Sequence, residues 1–473
     1  MLTFADVFEA LTGARVAGAS LIISEASIDS RQAIPASLFF ALPGERVDGH
    51  AFIEDAFKQG AQAAVIQQDV DLPYPVFDLR PGRLLEKIDL PEIPFLLRVE
   101  DSLKALQTIA GFWRKKVNVR VVGITGSVGK STTKELVAEV LSQRYHTLKN
   151  QGSLNNEIGL PLTLLRLGPG HQRAVLEMGF YVAGEISFLC DLAQPSVGVV
   201  TNIGPSHAER AGSMEDIARG KTELVQALPV APDGTAVLNF DDPYVRKMAD
   251  HTRAQVFYYG LDPIADLWAD EIESLGLEGI RCRLHYGSEN VTLRVPLIGQ
   301  HSVHTVLRAA AVALVEGLTW GEIVQGLQHG HAQLRLMAVH TPNGALLLDD
   351  TYNASPESTL AALNLLDELD GRRVGVLGEM LELGQYEQSG HEKVGARAAE
   401  VCSELLTVGE RAKMIASSAL AAGMRPAAVR WVATVPEAID YLRTHLKKDD
   451  VALVKGSHGL QMGRIISALE EIP

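Results

Sequence analysis

The segment Gly123-Ile-Thr-Gly-Ser-Val-Gly-Lys-Ser-Thr-Thr133 constrains this chain most tightly. It lies between the apolar run Val121-Val122-Gly123-Ile124 and a helical pattern from Lys134 to Tyr145, so it joins a buried strand to a helix. Small residues let successive backbone N–H groups face one point, and the helix N-terminus adds positive potential there. Lys130 contributes a fixed charge, and the Ser131 hydroxyl is suited to a magnesium ion. The loop Thr125, Gly126, Ser127, Val128, Gly129, Lys130, Ser131 and Thr132 therefore reads as a cradle for the phosphates of ATP. The strict pattern has glycine where this chain has Ile124. The lysine and hydroxyl residues nevertheless follow in the required order, which a plain glycine-rich turn does not need.

A loop of this kind belongs on a parallel sheet covered on both faces, and uninterrupted apolar strands suit one. Such runs recur at Ala174-Val175-Leu176 and Val197-Gly198-Val199-Val200. Further on, Ala345 to Leu348, Val374 to Leu377, Leu405 to Val408 and Val451 to Val454 alternate with helical patterns such as Pro356 to Leu369 and Pro436 to Leu446, which predicts a doubly wound unit. Residues 1 to 100 instead mix short apolar runs such as Ala63-Ala64-Val65-Ile66 with turns such as Leu42-Pro-Gly-Glu45. With 473 residues, 47% of them hydrophobic, the chain is long enough for about three cores. The expected class is α/β with three domains: a small mixed domain over 1–100, a central P-loop parallel-sheet domain over 101–330 and a Rossmann-like domain over 331–473. The boundaries are placed at the proline-rich stretch Leu90 to Phe95 and near His329 to Gln333.

Charge narrows the function classes. Lys plus Arg total 43 against 58 Asp plus Glu, a formal net charge of -15, which disfavours a nucleic-acid or anionic-membrane surface. No segment is apolar for long enough to span a bilayer, and Met1 to Asp6 lacks the basic start of a signal peptide, so the expected location is cytoplasmic. Cys190, Cys282 and Cys402 lack CxxC spacing and read as apolar fillers.

A nucleotide at the loop needs divalent metal, whose ligands should come from neighbouring strand ends. Glu177 closes the run Ala174-Val-Leu-Glu, and His207 follows the strand that ends in Thr201-Asn202. Alone, a strand-end Glu is usually solvated and a lone His usually structural; beside a phosphate loop both become ligand candidates. Ser213-Met-Glu-Asp216 reads as a capping box opening a helix through Ile217, Lys221 and Leu224. Gly220 within that helix costs about 1 kcal/mol relative to alanine and suggests close approach of another group.

These residues resemble the Mur ligases, the amide-forming enzymes of peptidoglycan precursor synthesis, whose loop reads T-G-x-x-G-K-[ST]-[ST]; here it is Thr125-Gly-Ser-Val-Gly-Lys-Ser-Thr132. The likeness spans essentially the whole chain. It is carried further by Thr132-Thr-Lys-Glu135, Asn155-Asn-Glu-Ile-Gly-Leu-Pro161, Asp349-Asp-Thr-Tyr-Asn-Ala-Ser-Pro356 and Val376-Leu-Gly-Glu-Met-Leu-Glu-Leu-Gly384. These segments are most similar to the branch that adds D-alanyl-D-alanine to a UDP-N-acetylmuramoyl-tripeptide. The resemblance implies that Lys130, Ser131 and Thr132 hold ATP phosphates and a first magnesium, that Glu177 is shared between two ions, and that His207 holds the second. It also implies that Lys221 is carbamoylated by carbon dioxide. Asn156 and His301, together with Arg335, Asp350, Tyr352 and Asn353 of the third domain, match nucleotide-site positions, and Ser30, Arg31, Asp48 and His50 match the UDP end of the precursor. Ser302 and Thr305 stand where asparagines are usual, His458 where arginine is, Ser153 where asparagine is and Gly220 where alanine is.

The chemistry so implied converts a carboxylate to an acyl-phosphate that an amine attacks, with a monomeric chain whose third domain closes over the nucleotide. Two other readings compete: a sister Mur ligase adding the third amino acid, whose Asp-Asn-Pro-Arg signature does not occur here, and a non-catalytic nucleotide-dependent binding protein.

Overall fold

In this computed structural model the described residues are 1–470, apart from 17, 45–46, 82–92 and 330–336. Arg335 lies outside them, as do half of the boundary segment Leu90 to Phe95 and most of the segment His329 to Gln333. The chain forms two compact units. The first comprises Met1–Gly123, Tyr145–Gly179 and Gly184–Val197; the second comprises Ile124–Arg144, Phe180–Ala183 and Gly198–Pro473.

In the first unit, five short strands lie in the order Ala26–Ser27, Leu38–Phe40, Ala63–Ile66, Phe95–Arg98, Val76–Asp78, all neighbours parallel. Successive residues point to opposite faces, so Phe39, Ala64, Ile66 and Leu96 pack on Ile53 and Ala56 of the helix Ile53–Lys58. Phe95 instead meets Phe4 and Phe77 at ring distances of 5.0 and 5.5 Å. Phe4 opens the helix Phe4–Thr12, whose capping box joins Thr3 and Asp6. The same unit holds the parallel pair Thr147–Lys149 and Arg173–Glu177.

The chain enters the second unit within the strands Arg120–Thr125 and Val197–Val200. From Val197–Val200 the sheet continues through Thr235–Asn239, Gln255–Gly260, Leu267–Ser274, Ile280–Tyr286 and Glu289–Val295. Thr235–Asn239, Gln255–Gly260 and Leu267–Ser274 pair in parallel, whereas the last two pairings are antiparallel. The sequence reading anticipates a parallel sheet and misses this meander. Its mark is the alternation of buried Ile280, Cys282 and Leu284 with Arg281, Arg283 and His285, the pattern of a sheet wet on one face.

Residues beyond 336 build the doubly wound sheet that the apolar periodicity predicts. Its order is Met337–His340, Leu346–Asp350, Asp450–Lys455, Arg372–Gly378, Glu404–Val408, Val429–Val432, parallel except for the antiparallel edge strand Met337–His340. Adjacent residues serve two separate cores. Leu348, Leu377, Leu405 and Leu453 face Leu363, Val394 and Ile415, while Leu347, Val376, Leu406 and Ala452 face Ala438, Leu442 and Ile465. Among the described residues no helix is long and apolar enough to cross a membrane, and all three cysteines are buried and outside any disulfide.

At the N-terminal edge of this sheet Arg372 joins Asp450 (2.9 Å) and Glu404 (2.6 Å). Burial alone would raise the Asp450 carboxyl, but the Arg372 hydrogen bonds, the Lys447 amide and the charges of both residues together outweigh it and hold the group below the usual carboxylate range. Because its folded-state pKa is depressed, Asp450 contributes stability above the ordinary aspartate range, and that stability is lost as pH falls through the lower, folded value. We expect Asp450→Ala to cost about 2 kcal/mol at pH 7, with Glu404 still partnering Arg372, and the difference from the parent to shrink on acidification, as measured by urea unfolding at several pH values.

Candidate active site

The phosphate loop is shaped by the strand end beside it. Gly126 has a positive φ of 142°, and a Cβ there would fall 1.8 Å from the Thr201 hydroxyl oxygen, so only glycine fits. Thr201 donates to the carbonyl of Val128 at 2.7 Å. Asn202 accepts from the amide of Ser127 through its carbonyl and from that of Val128 through its side chain, both at 2.9 Å. The Ser127 hydroxyl is tied to Gly204.

The helix begins at Lys130, four residues earlier than the hydrophobic pattern suggests, with left-handed Gly129 as its N-cap and no side chain capping it. The amides of Ser127 and Val128 are thus engaged by Asn202. The uncapped first turn from Gly129 to Thr132 is the part of the loop arranged to receive phosphate oxygens. The Lys130 ammonium bridges the carbonyls of Gly126 and Ser127 at 2.8 and 3.2 Å.

Lys221 lies on the helix Met214–Gln226, whose Ser213/Asp216 capping box forms as predicted. The residue is only 1% exposed, and among the described residues no acceptor takes up its Nζ. The Phe180 ring covers it at 4.4 Å. Burial, and then the nearby Lys130 charge, push the Lys221 amine well below the ordinary lysine range. An aromatic face favours a cation by at most a few kcal/mol, so loss of water decides the balance. Phe180 also accounts for Gly220, since a Cβ there would meet a ring carbon at 2.1 Å.

His207 caps the short helix Ala208–Ala211 in a left-handed conformation, its ring edge-on to Tyr181 at 4.7 Å. Nδ1 lies 2.5 Å from the Glu382 carboxylate. Burial lowers the imidazole pKa, the Glu382 hydrogen bond opposes that, and the charges of Lys130 and Lys221 lower it further. A neutral ring donating from Nδ1 to Glu382 carries its lone pair on Nε2, the tautomer typical of a metal-ligating histidine. Lys130, His207 and Lys221 are therefore brought together in one electrostatic neighbourhood.

Further candidates cluster around the strand Leu346–Asp350. Lys455 donates to the Asp350 carboxylate at 2.6 Å and to the Asn353 carbonyl at 2.8 Å. Tyr352 lies 5.9 Å from His458 ring to ring. The His301 imidazole folds over Gly299 and interacts electrostatically with Asp350 and Lys455.

The remaining candidates belong to the first unit. Glu177 is 2% exposed; Asn155 donates to its carboxylate at 2.8 Å, and Asn150 brackets its backbone on both sides. The Asn156 side chain accepts from the amide of Gly159 at 2.9 Å and so starts the next helix. Ser30 is buried, whereas the Arg31 guanidinium is solvent-exposed on Asp29. The His50 ring is held on both sides, by Asp48 at Nδ1 and by the amide of Gln67 at Nε2, and its hydrogen bonds lower the Asp48 carboxyl to about 2.

Among the described residues no group of three or more His, Cys, Asp or Glu side chains converges as a ready-made metal site. Magnesium takes much of its shell from phosphate oxygens and water. The uncapped helix turn and the glycine cradle fit a polyphosphate, and the Ser131 hydroxyl is an oxygen donor of the kind a hard cation takes. The motif reading did not find Thr201, Asn202, Asn155, Glu382, Lys455 or Phe180. Thr201, Asn202, Asn155 and Glu382 sit in segments that carry the motifs, but nothing local marks what they touch.

The profile described as Mur ligase middle domain matches residues 124–313, that of the Mur ligase glutamate ligase domain matches 334–458, and that of the Mur ligase family catalytic domain matches 22–84. The chain is 35% identical over 453 residues to UDP-N-acetylmuramoyl-tripeptide–D-alanyl-D-alanine ligase of Synechocystis sp., covering 94% of this chain and 92% of that one. Its fold matches MurF from Acinetobacter baumannii with a TM-score of 0.83 at 29% identity, over 99% and 98% of the two chains. MurF ligase from Thermotoga maritima, solved in complex with ADP, gives 0.77 at 26% identity over 95% and 98%.

The packing at Gly220 yields a test. Gly220→Ala forces the Phe180 ring away from Lys221, and we expect the overpacking, less the helix gain of alanine, to cost about 1–2 kcal/mol in guanidinium unfolding.

Proposed function

The chain belongs to the Mur ligase family, and we propose that it joins D-alanyl-D-alanine to a UDP-N-acetylmuramoyl-tripeptide at the expense of ATP. The observation that carries this reading is the match, in sequence and in fold, to ligases of that kind over nearly the full length of both chains. The domain limits proposed from the sequence, near 100 and 330, accompany it.

A carboxylate does not acylate an amine at neutral pH, because oxide does not leave. The tripeptide carboxylate instead attacks the γ-phosphorus of ATP; the bond from that phosphorus to the bridging oxygen breaks and ADP departs. The neutral amine of the dipeptide then attacks the acyl carbon, phosphate leaves, and the amine's proton passes to solvent or a base. Lys130 and the first-turn amides from Gly129 to Thr132 hold phosphate oxygens where negative charge gathers. Ser131, Glu177, His207 and Lys221 would hold the magnesium, in two ions, and bound magnesium supplies neutralisation of phosphoryl charge. Asn155 fixes the Glu177 carboxylate and Glu382 fixes the His207 ring for that purpose.

As an ammonium, Lys221 would repel a cation. Its burial supports a different state: the neutral amine has a lone pair that adds to carbon dioxide, forming an N–C bond and releasing one proton. The resulting carbamate is an anion with the oxygen donors that magnesium prefers. Asn156, His301, Asp350, Tyr352 and Asn353 are proposed at the nucleotide, and Ser30, Arg31 and the turn of Asp48 and His50 at the UDP end. Both His50 ring nitrogens serve the turn, so its part there is to hold Asp48 and the backbone in place.

Phosphate release from ATP should require the UDP-tripeptide and D-alanyl-D-alanine together, and Lys221→Ala should lower turnover by at least ~10² with its fold retained by circular dichroism. Equal phosphate release with ATP alone would contradict the ligase reading, and normal turnover of the variant would contradict the role of Lys221.

A further inference from the structure

Beneath the phosphate loop lies a buried charge that meets no carboxylate among the described residues. Arg308, on the helix Val303–Val315, is 4% exposed, and among the described residues it forms no ion pair. Its Nε donates to the Thr133 hydroxyl at 2.8 Å and its Nη2 to the Thr305 hydroxyl at 2.7 Å. Thr133 passes the interaction on by donating to the carbonyl of Gly129 at 2.6 Å. The guanidinium approaches Gly129 so closely that a Cβ built there would lie 3.1 Å from Nη2. Tyr259 is a further buried neighbour, with its ring centroid 6.0 Å away.

Neutral hydroxyls satisfy hydrogen bonds but do not cancel a charge, and arginine stays protonated in proteins. Burying an unpaired ion is costly, so in the absence of ligand Arg308 weakens the fold. The cost falls away if an anion of matching charge arrives nearby, within a medium where Coulomb attraction is weakly screened. The place where this charge acts is the turn that starts at Gly129, the same turn left uncapped for phosphate.

We propose that Arg308 is the buried countercharge of the phosphate loop, a fixed cation whose compensating anion is the polyphosphate of the nucleotide. It is a positioning and electrostatic residue: it holds Gly129 through Thr133 and raises the potential of the first helical turn without touching solvent. The inference rests on the reading of the loop as the ATP site.

The test compares the parent protein with Arg308→Gln, which keeps hydrogen bonding to the threonines without the charge, and Arg308→Lys, which keeps the charge. Binding of ADP with magnesium is measured by titration calorimetry, and melting is recorded without ligand. The expected result is an affinity loss of about tenfold or more for Gln, a loss of about threefold or less for Lys, and an unliganded Gln variant that melts at the parent temperature or above. A Gln variant that binds ADP with less than tenfold loss would overturn the proposal, as would a Lys variant that falls as far as Gln. A Gln variant that is less stable than the parent, or does not fold, would also overturn it, because that outcome makes Arg308 an ordinary structural residue. If the parent itself failed to bind ADP, the reading of the loop would fail too; an ADP-binding parent with an undiminished Gln variant refutes the inference alone.

Discussion

Lys130, Lys221 and Arg308 are held within one unit around a single helix N-terminus, and two of the three, Lys221 and Arg308, are buried without a carboxylate to meet them among the described residues. Positive charge kept away from water and unpaired is unfavourable unless the site is built to be finished by something negative. Each cation resolves the problem differently. Lys130 lies over backbone carbonyls, Arg308 leans on hydroxyls, and burial pushes the Lys221 amine well below the ordinary lysine range. In the proposed site a polyphosphate, magnesium and a carbamate on Lys221 would complete this arrangement.

The surrounding fold serves to hold these groups in place. The parallel strand end at Thr201 and Asn202 pins the loop from one side, which is why glycine is required at 126 and why the amides of Ser127 and Val128 are already spoken for. Phe180, three residues after Glu177 in the chain, roofs Lys221 and excludes a side chain at position 220. Glu382 reaches His207 from the segment that ends in Gly384, and its carbonyl accepts the amide of Glu209. The residue that fixes the His207 ring therefore comes from the loop after the strand Arg372–Gly378.

The legibility of the sequence follows from the range of the interactions. Apolar runs and the glycine loop are local, so the parallel strands, the doubly wound C-terminal sheet and the capping box at Ser213 could be read directly. The antiparallel strands Ile280–Tyr286 and Glu289–Val295 carry a period-two alternation that the search for continuous apolar strands passed over. Gly220 signalled a close approach, but only coordinates identify the Phe180 ring. Pairings such as His207 with Glu382, or Arg308 with Thr133, join residues 175 apart in sequence, and nothing in either local pattern announces the other.

The central claim is that burial leaves Lys221 a neutral amine able to take up carbon dioxide, so that a cation becomes a ligand for magnesium. Carbon-13 NMR of the parent protein in ¹³C-bicarbonate, beside Lys221→Arg in the same buffer, tests this most directly. The account predicts one carbamate resonance in the parent, sharpened by ADP and magnesium and missing from the arginine variant. A parent spectrum without that resonance, or the same resonance in both proteins, would contradict it.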